Sequence, residues 1–540
     1  MGHGQAGARY DSGMKRAYRV NDVRAAEEPL LAAGEPLMEQ AAWALAQAAI
    51  RHIKESELRI PGSSALALVG PGNNGGDALF AAANLARRGL AVIAACHGQV
   101  HENGLAAARR AGVQILQNPE LPQLGEAAAA SGIWIDGLLG IGARGAIREP
   151  MAAWVKALNQ LRAESAAEPY VIAVDVPSGV GVDDGTVPGL VLRANLTVTM
   201  GAAKRALYLP PACHLAGEIT LVPLGFKPYL PRKPALVSLR DADVRDIWEI
   251  PGAESHKYTR GVLGVIAGSR SYPGAGMLAV GGARAAGVGM VRYLGENDQV
   301  ISRYPDVVPA AGQVQAWAIG SGLADLTEAS RALQNAINHA IPVVLDATAI
   351  ELVHADDVPS TVVITPHEGE ITALLQARGE SISREEVHAA PARAARLAAT
   401  LTGATVMLKG AVTVVAGPHG PLYAQGGAPG WLATAGAGDV LAGITGSMLA
   451  AYGDEMRGWG SGRGVPGQLA AAACYVHARA AAIAARTPFA ADTGANRARS
   501  LRRHESYLRH KTGPVGAPIT ASTLLDAIPV AIFEILNPER

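Results

Sequence analysis

A chain of 540 residues exceeds what one ordinary hydrophobic core can hold, so at least two domains are expected. Lys+Arg and Asp+Glu each total 47, giving a formal net charge of zero and no electrostatic case for nucleic acid or an anionic membrane surface. Cys96, Cys213 and Cys474 are widely spaced and odd in number, which excludes zinc-type spacing and a disulfide framework. The Gly-rich, polar start lacks the apolar core of a signal peptide, and no run approaches the roughly 18 apolar residues of a membrane span. A soluble cytoplasmic protein follows, with cores of Ala, Val, Leu and Ile, since aromatics make up only 4%.

After a tail of about 15 residues, Asn21 to Ile50 carries a helical pattern, clearest from Leu37 to Gln47. Ala65–Gly70 is a short apolar run suited to a buried parallel strand. Pro71-Gly-Asn-Asn-Gly-Gly-Asp77 then reads as a loop, Ala78–Arg88 as a helix and Ala91–Cys96 as the next strand, a βαβ unit. Gly132–Asp136 leads into the glycine turn 137–146, and Tyr170–Asp175 into Val176-Pro-Ser-Gly179. In open parallel sheets ligands sit beyond the carboxyl ends of the strands, where all three loops fall. Asn73, Asn74, Asp77, Asp136, Asp175 and Ser178 offer hard oxygen donors without His or Cys, which favours an alkali or alkaline-earth cation over zinc.

Prolines between Leu224 and Pro234 interrupt the alternation and predict a join near residue 235. Strand signals resume at Gly261–Ser269, Gly289–Leu294, Ala316–Gly322, Ile341–Asp346, Thr361–His367 and the hairpin Thr405–Ala416. Helices are expected from Tyr272 to Ala286 and from Gly369 onward. Thr434–Gly438 is a tight glycine loop running into an apolar helix near Asp439. Alone, that stretch reads as a turn with Asp439 as its cap; a phosphate loop would place a repelling carboxylate there, unless the acid faces a hydroxyl attacking phosphorus. The segment 493–504 is basic and turn-rich and reads as a solvated insertion; 519–528 resumes as a capped helix.

Asn73-Asn-Gly-Gly-Asp77, Asp136-Gly-Leu-Leu-Gly140, Asp175-Val-Pro-Ser-Gly179 and Leu37-Met-Glu-Gln-Ala41 resemble the signatures of NAD(P)H-hydrate epimerases over residues 15–225. The resemblance implies a potassium ion on Asn74, Asp136 and Ser178. It implies binding of the hydrated nucleotide by Asn73, Asn74, Gly75, Gly76, Asp77, Gly140, Ile141, Gly142, Ala143, Arg144, Gly145, Ala146 and Asp175, with Asp136 the choice for proton transfer. Ala78 departs from the family's glycine, and its methyl is expected to crowd the phosphate approach.

Over 250–485, His256–Gly261, Tyr272-Pro-Gly-Ala275, Gly320-Ser-Gly322, Thr365–Glu370, Lys409–Thr413 and Gly436–Gly443 resemble, in order, the ribokinase-like dehydratases acting on the same hydrates. That resemblance implies nucleotide binding by Lys409, Gly410, Ala411, Val412, Thr413 and Gly438, and hydrate binding by Ala275, Gly322, His367 and Asp439, with Asp439 catalytic. Ala437 stands where Ser or Thr is usual, the loss of one hydrogen bond worth about 1 kcal/mol. The implied protein is α/β, with two three-layer αβα domains: a Rossmann-like epimerase domain (15–230) and a ribokinase-like dehydratase domain (240–540). It would act on NADHX and NADPHX with ADP, K+ in the first domain and Mg2+ in the second, as a homo-oligomer free of nucleic acid and membrane. A ribokinase-type small-molecule kinase with a non-catalytic first domain, or a nucleotide-binding sensor, are the alternatives.

Overall fold

The structure is a computed structural model describing residues 15–165, 168–459, 465–489 and 516–538. Residues 1–14 of the expected tail and the basic segment 493–504 lie outside them. Strand β1 (Lys15–Tyr18) opens the chain and belongs to the far sheet, as set out below. Then come β2 (Ser64–Val69), β3 (Ala91–Cys96), β4 (Gln114–Gln117), β5 (Ile133–Gly137), β6 (Tyr170–Val174), β7 (Leu196–Met200), the two-residue β8 (Ala203–Lys204) and β9 (Glu218–Val222). All except β1 and β8 form one parallel sheet in the order β4-β3-β2-β5-β6-β7-β9. Its central strands β2, β5, β6 and β7 are buried on both faces because helices cover both faces: Leu37–Glu55 and Asn73–Arg87 on one, Leu121–Ala129 and Met151–Glu164 on the other. The chain leaves β2 towards β3 and β4, then returns to β5 on β2's other side. The crevice between β2 and β5 is therefore a topological switch point.

The second sheet adds β10 (Leu236–Ser238), β11 (Val262–Ile266), β12 (Met290–Tyr293), β13 (Ala316–Ile319), β14 (Val343–Leu345), β15 (Val362–Ile364), β16 (Thr405–Leu408), β17 (Thr413–Ala416) and β18 (Leu422–Gln425). Its order is β12-β11-β13-β14-β15-β16-β17-β18-β10-β1-β8, with the switch point between β11 and β13. The β16–β17 hairpin has the antiparallel register Leu408↔Val414. Helices Pro273–Ala285, Ala437–Ala451, Val465–Ala485 and Ala521–Leu536 pack on one face, and Thr327–Asn338, Glu368–Ala377 and Pro391–Thr402 on the other. Thr520 caps the last helix with a capping box, the capped return expected from the sequence. Both halves are three-layer αβα units.

Three details depart from the sequence reading. The expected helix Asn21–Ile50 is two helices, Val20–Ala32 and Leu37–Glu55, broken where Pro36 follows Gly34. The stretch after residue 235 is ordered rather than linker-like, because Leu236–Ser238 pairs with both β1 and β18 and is followed by the helix Asp241–Ile247. Val176, Val180 and Val182 of the first half also belong to the same buried core as Leu345 and Ile364 of the second. No helix among the described residues is long and apolar enough to cross a membrane.

Candidate active sites

At the first switch point, Gly72 ends the turn after β2 and the helix starts at Asn73, not at Ala78 as the sequence suggested. Asn73–Asp77 is thus a first helical turn whose free N–H groups point into the crevice end of the sheet. Asn74 donates both amide hydrogens, to the carbonyls of Leu139 at 3.0 Å and Val174 at 3.1 Å, which leaves its Oδ1 as the free polar atom beside Gly140. The Ala78 methyl does not crowd this turn: it is fully buried, 2.5 Å from where a Cβ on Gly137 would lie, and so faces the sheet. Gly137 allows that close approach of helix to strand.

Asp136 is 0% exposed and accepts from the Ser178 hydroxyl at 2.6 Å, the Ser178 N–H at 2.9 Å and the Leu138 N–H at 3.3 Å. Burial pushes its carboxyl above the ordinary range, and these bonds pull it part of the way back. So enclosed, it suits a structural or cation-holding role better than contact with a substrate carbon. Asp175, with φ of +67°, accepts on Oδ1 from Thr199 Oγ1 at 3.1 Å, the Met200 N–H at 2.9 Å and the Lys204 ammonium. Asp77 is pushed well up by burial and then by the charges of Asp175 and Glu27, and Glu27 is raised mainly by burial. Arg24 reaches the 140–146 turn, its Nη2 lying 3.3 Å from the Cβ position of Gly142.

At the second switch point, Gly322 lies against Tyr272 and Ala275, bringing the two expected hydrate-binding residues together. Gly436, at φ +85°, turns the chain so that the helix begins at Ala437, two residues before Asp439. Asp439 therefore sits in the first turn. Its pKa is raised to about 6 by burial and by the charge of Asp346, against a hydrogen bond with Ser321 and the pull of Lys409. Lys409 donates to Asp346 Oδ1 at 2.7 Å, and that oxygen also accepts from Thr365 Oγ1 at 2.5 Å. The same ammonium lies 3.4 Å from the Cβ position of Gly438, which joins the expected nucleotide-binding lysine to the glycine loop. His367 is the N-cap of helix Glu368–Ala377; its Nδ1 accepts from the N–H groups of Gly369 and Glu370 at 3.0 and 3.1 Å, while most of the ring is exposed. Gly410, Ala411 and Val412 form the exposed to half-exposed tip of the β16–β17 hairpin, with Thr413 starting β17.

Residues 263–500 match the NAD(P)H-hydrate dehydratase family, and residues 34–206 match the YjeF-related protein N-terminus. The bifunctional NAD(P)H-hydrate repair enzyme Nnr of Mycobacterium leprae (strain TN) is 40% identical over 506 residues, covering 90% of this chain and 98% of that protein. The chain belongs to the bifunctional NAD(P)H-hydrate repair enzymes. An NAD(P)H-hydrate epimerase of Clavibacter michiganensis is 46% identical over 218 residues, 38% of this chain and 90% of that one. Among solved structures, the ADP/ATP-dependent NAD(P)H-hydrate dehydratase from Bacillus subtilis, co-crystallized with ATP/Mg2+, is 24% identical, with a TM-score of 0.42, over 55% of this chain and 97% of that one.

Within this repair-enzyme chain, several residues went unread in the sequence. Asp346 was visible only as an acid closing a strand, and Thr365 and Ser321 only as members of motifs. Lys204 follows β7 with no periodic or spacing signal. His477 lies in an alanine-rich helix, 6% exposed, hydrogen-bonded to the Ala437 backbone; burial lowers its pKa to about 4, so it is neutral at ordinary pH.

Proposed function

We infer that this chain repairs hydrated NADH and NADPH, epimerising the R and S hydrates in its first domain (15–230) and dehydrating the S form in its second (240–540) at the expense of ADP. The observation that carries the second activity is Asp439: a half-buried acid with its pKa near 6, at a helix N-terminus beside Lys409. A carboxylate so poised can accept a proton near neutral pH, while the helix N–H groups receive a phosphate. As the hydrate's hydroxyl oxygen bonds to the terminal phosphorus of ADP, its proton passes to Asp439 and AMP leaves. Phosphate, a far better leaving group than hydroxide, then departs with loss of a neighbouring ring proton, which restores the dihydronicotinamide. Ala275, Gly322 and His367 would position the hydrate. Lys409, Gly438 and the turn from Gly410 to Thr413 would hold the nucleotide.

Magnesium would ride on the nucleotide phosphates and neutralise their charge. In the first domain, Asn74 Oδ1, Asp136 and Ser178 Oγ fit a potassium ion: they are hard oxygens, and among the described residues no cationic side chain is paired with the buried Asp136 carboxyl. A cation there would compensate Asp136 and bind the three loops to one another. Proton transfer for epimerisation falls to Asp77 and Asp175 rather than to the enclosed Asp136. The test is to supply mixed NADH-hydrate epimers with ADP or ATP and follow NADH absorbance. Complete recovery supports both activities. Recovery of the S fraction alone removes the epimerase, and recovery with neither nucleotide, or a stable phosphorylated product, removes the dehydratase.

A further inference from the structure

Lys204 is a buried lysine, with 1% of its side chain exposed. It sits outside every motif that marks the first site. Its ammonium makes three contacts: the carboxylate of Asp175, the Met200 carbonyl at 2.7 Å and Thr199 Oγ1 at 3.3 Å. An ammonium has three hydrogens to donate, so this group is fully engaged. On the other side of the pair, one oxygen of Asp175 takes every bond described for that carboxylate: from Lys204, Thr199 Oγ1 and the Met200 N–H. The other oxygen receives none among the described residues, and 10% of the side chain stays accessible. Asp175 also holds the left-handed backbone conformation, φ +67°, uncommon outside glycine though more open to Asp than to most residues.

We propose that Lys204 is a positioning residue of the epimerase site: by saturating one oxygen of Asp175 it presents the other to the hydrated nucleotide and balances its charge. This rests on the epimerase reading above. The neighbouring charges make the balance matter. Asp77 and Glu27 face the same cluster as carboxyls, Arg24 lies beside Glu27, and among the described residues Lys204 is the ammonium that acts on both acids. Without it, three carboxyls would share one partly buried space, opposed among the described residues by Arg24 beside Glu27. The lysine comes from an unusual place. It lies on β8, which pairs with β1 (Tyr18↔Lys204) in the second sheet, so the seam between the halves supplies a part of the first site.

The experiment uses the full-length chain and two substrates: R hydrate, whose recovery as NADH requires epimerisation, and pure S hydrate with ADP, which requires only dehydration. Lys204→Met should lower kcat for R-hydrate conversion about 100-fold with KM changed less, while S-hydrate dehydration stays near wild type. Lys204→Arg, which keeps the charge, should recover at least tenfold of that loss. Equal losses in Met and Arg, or no loss in Met, overturn the proposal. If Met costs both activities together, the residue is structural and the proposal again fails, unless Thr199→Val, which removes a neutral donor to the same oxygen, slows R-hydrate conversion alone. Wild-type protein that never converts R hydrate refutes the epimerase reading itself, a distinguishable result.

Discussion

The two switch points use the same backbone device with opposite treatment of charge. Each sets a helix N-terminus beyond a parallel strand, Asn73 after β2 and Pro273 after β11, and brings a second strand's glycine turn against it, Gly140 in one and Gly322 in the other. In the first, Asp136 is sealed behind Ser178, one oxygen of Asp175 is tied to Lys204, and Asp77 is pushed up by burial and by the neighbouring carboxyls of Asp175 and Glu27. In the second, Lys409 is tied to Asp346, and Asp439 is left half-buried and raised to about 6. The first site gathers its acids into one buried cluster around a single ammonium, whereas the second, which moves a proton at the moment of phosphoryl transfer, holds one acid near its titration point beside a lysine tied to another carboxylate.

The sharpest way to break this comparison is Asp439→Asn, which keeps shape and removes the base. Dehydration of S hydrate should fall about 10²- to 10⁴-fold while R/S interconversion, followed by chromatography of the hydrates, is unchanged. A variant within a few-fold of wild type would mean that Asp439 merely complements the positive end of its helix. Next in size is the pH response. Because the pKa is raised, the active ionised form is lost as pH falls through about 6 rather than through the ordinary carboxylate range, so dehydration should drop about tenfold per unit below that point. Epimerisation should not share that limb; a common limb near 6 in both activities would dissolve the distinction.

Packing gives a smaller effect. Gly137→Ala would put a methyl 2.5 Å from that of Ala78, pushing the Asn73–Arg87 helix off the sheet. A loss of about 1–3 kcal/mol of stability in the first half should appear as a lower denaturation midpoint, with epimerisation affected before dehydration. An unchanged midpoint would show that the helix can shift freely. The smallest effect is expected from Ala437→Ser. A hydroxyl restored to the loop should tighten nucleotide binding by about 1 kcal/mol, roughly fivefold in KM, with kcat nearly unchanged. If KM does not move, the alanine is an equivalent solution and the loop's grip comes from its backbone.

Much of this was legible in the chain. Buried parallel strands announce themselves as short apolar runs, and glycine–acid clusters after them mark the crevice ends, so the elements around Asp77, Asp136, Asp175 and Asp439 were read in place. Helix starts were misread by two to five residues, since glycines within a first turn look like loop until packing reveals what they touch. Side-chain partnerships were not legible at all. Nothing local connects Lys204 with Asp175, Lys409 with Asp346 or His477 with Ala437, because each pair meets only through the sheet order. The same holds for β1, four residues without a pattern long enough to announce a strand, whose place depends on segments more than 180 positions away.

That displaced first strand bears on how the molecule is made. Its neighbours are β8, at residues 203–204, and β10, at 236–238, and β10 in turn leans on β18 at 422–425. A ribosome adds about 5–20 residues per second, so the segment that emerges first waits tens of seconds for the sheet it will join. The remaining strands of the first sheet can assemble during that interval, and the seam closes only once most of the chain is out. An early strand left waiting invites capture by other chains; Lys15 and Arg16 give this one a charged start, the usual protection of an exposed edge.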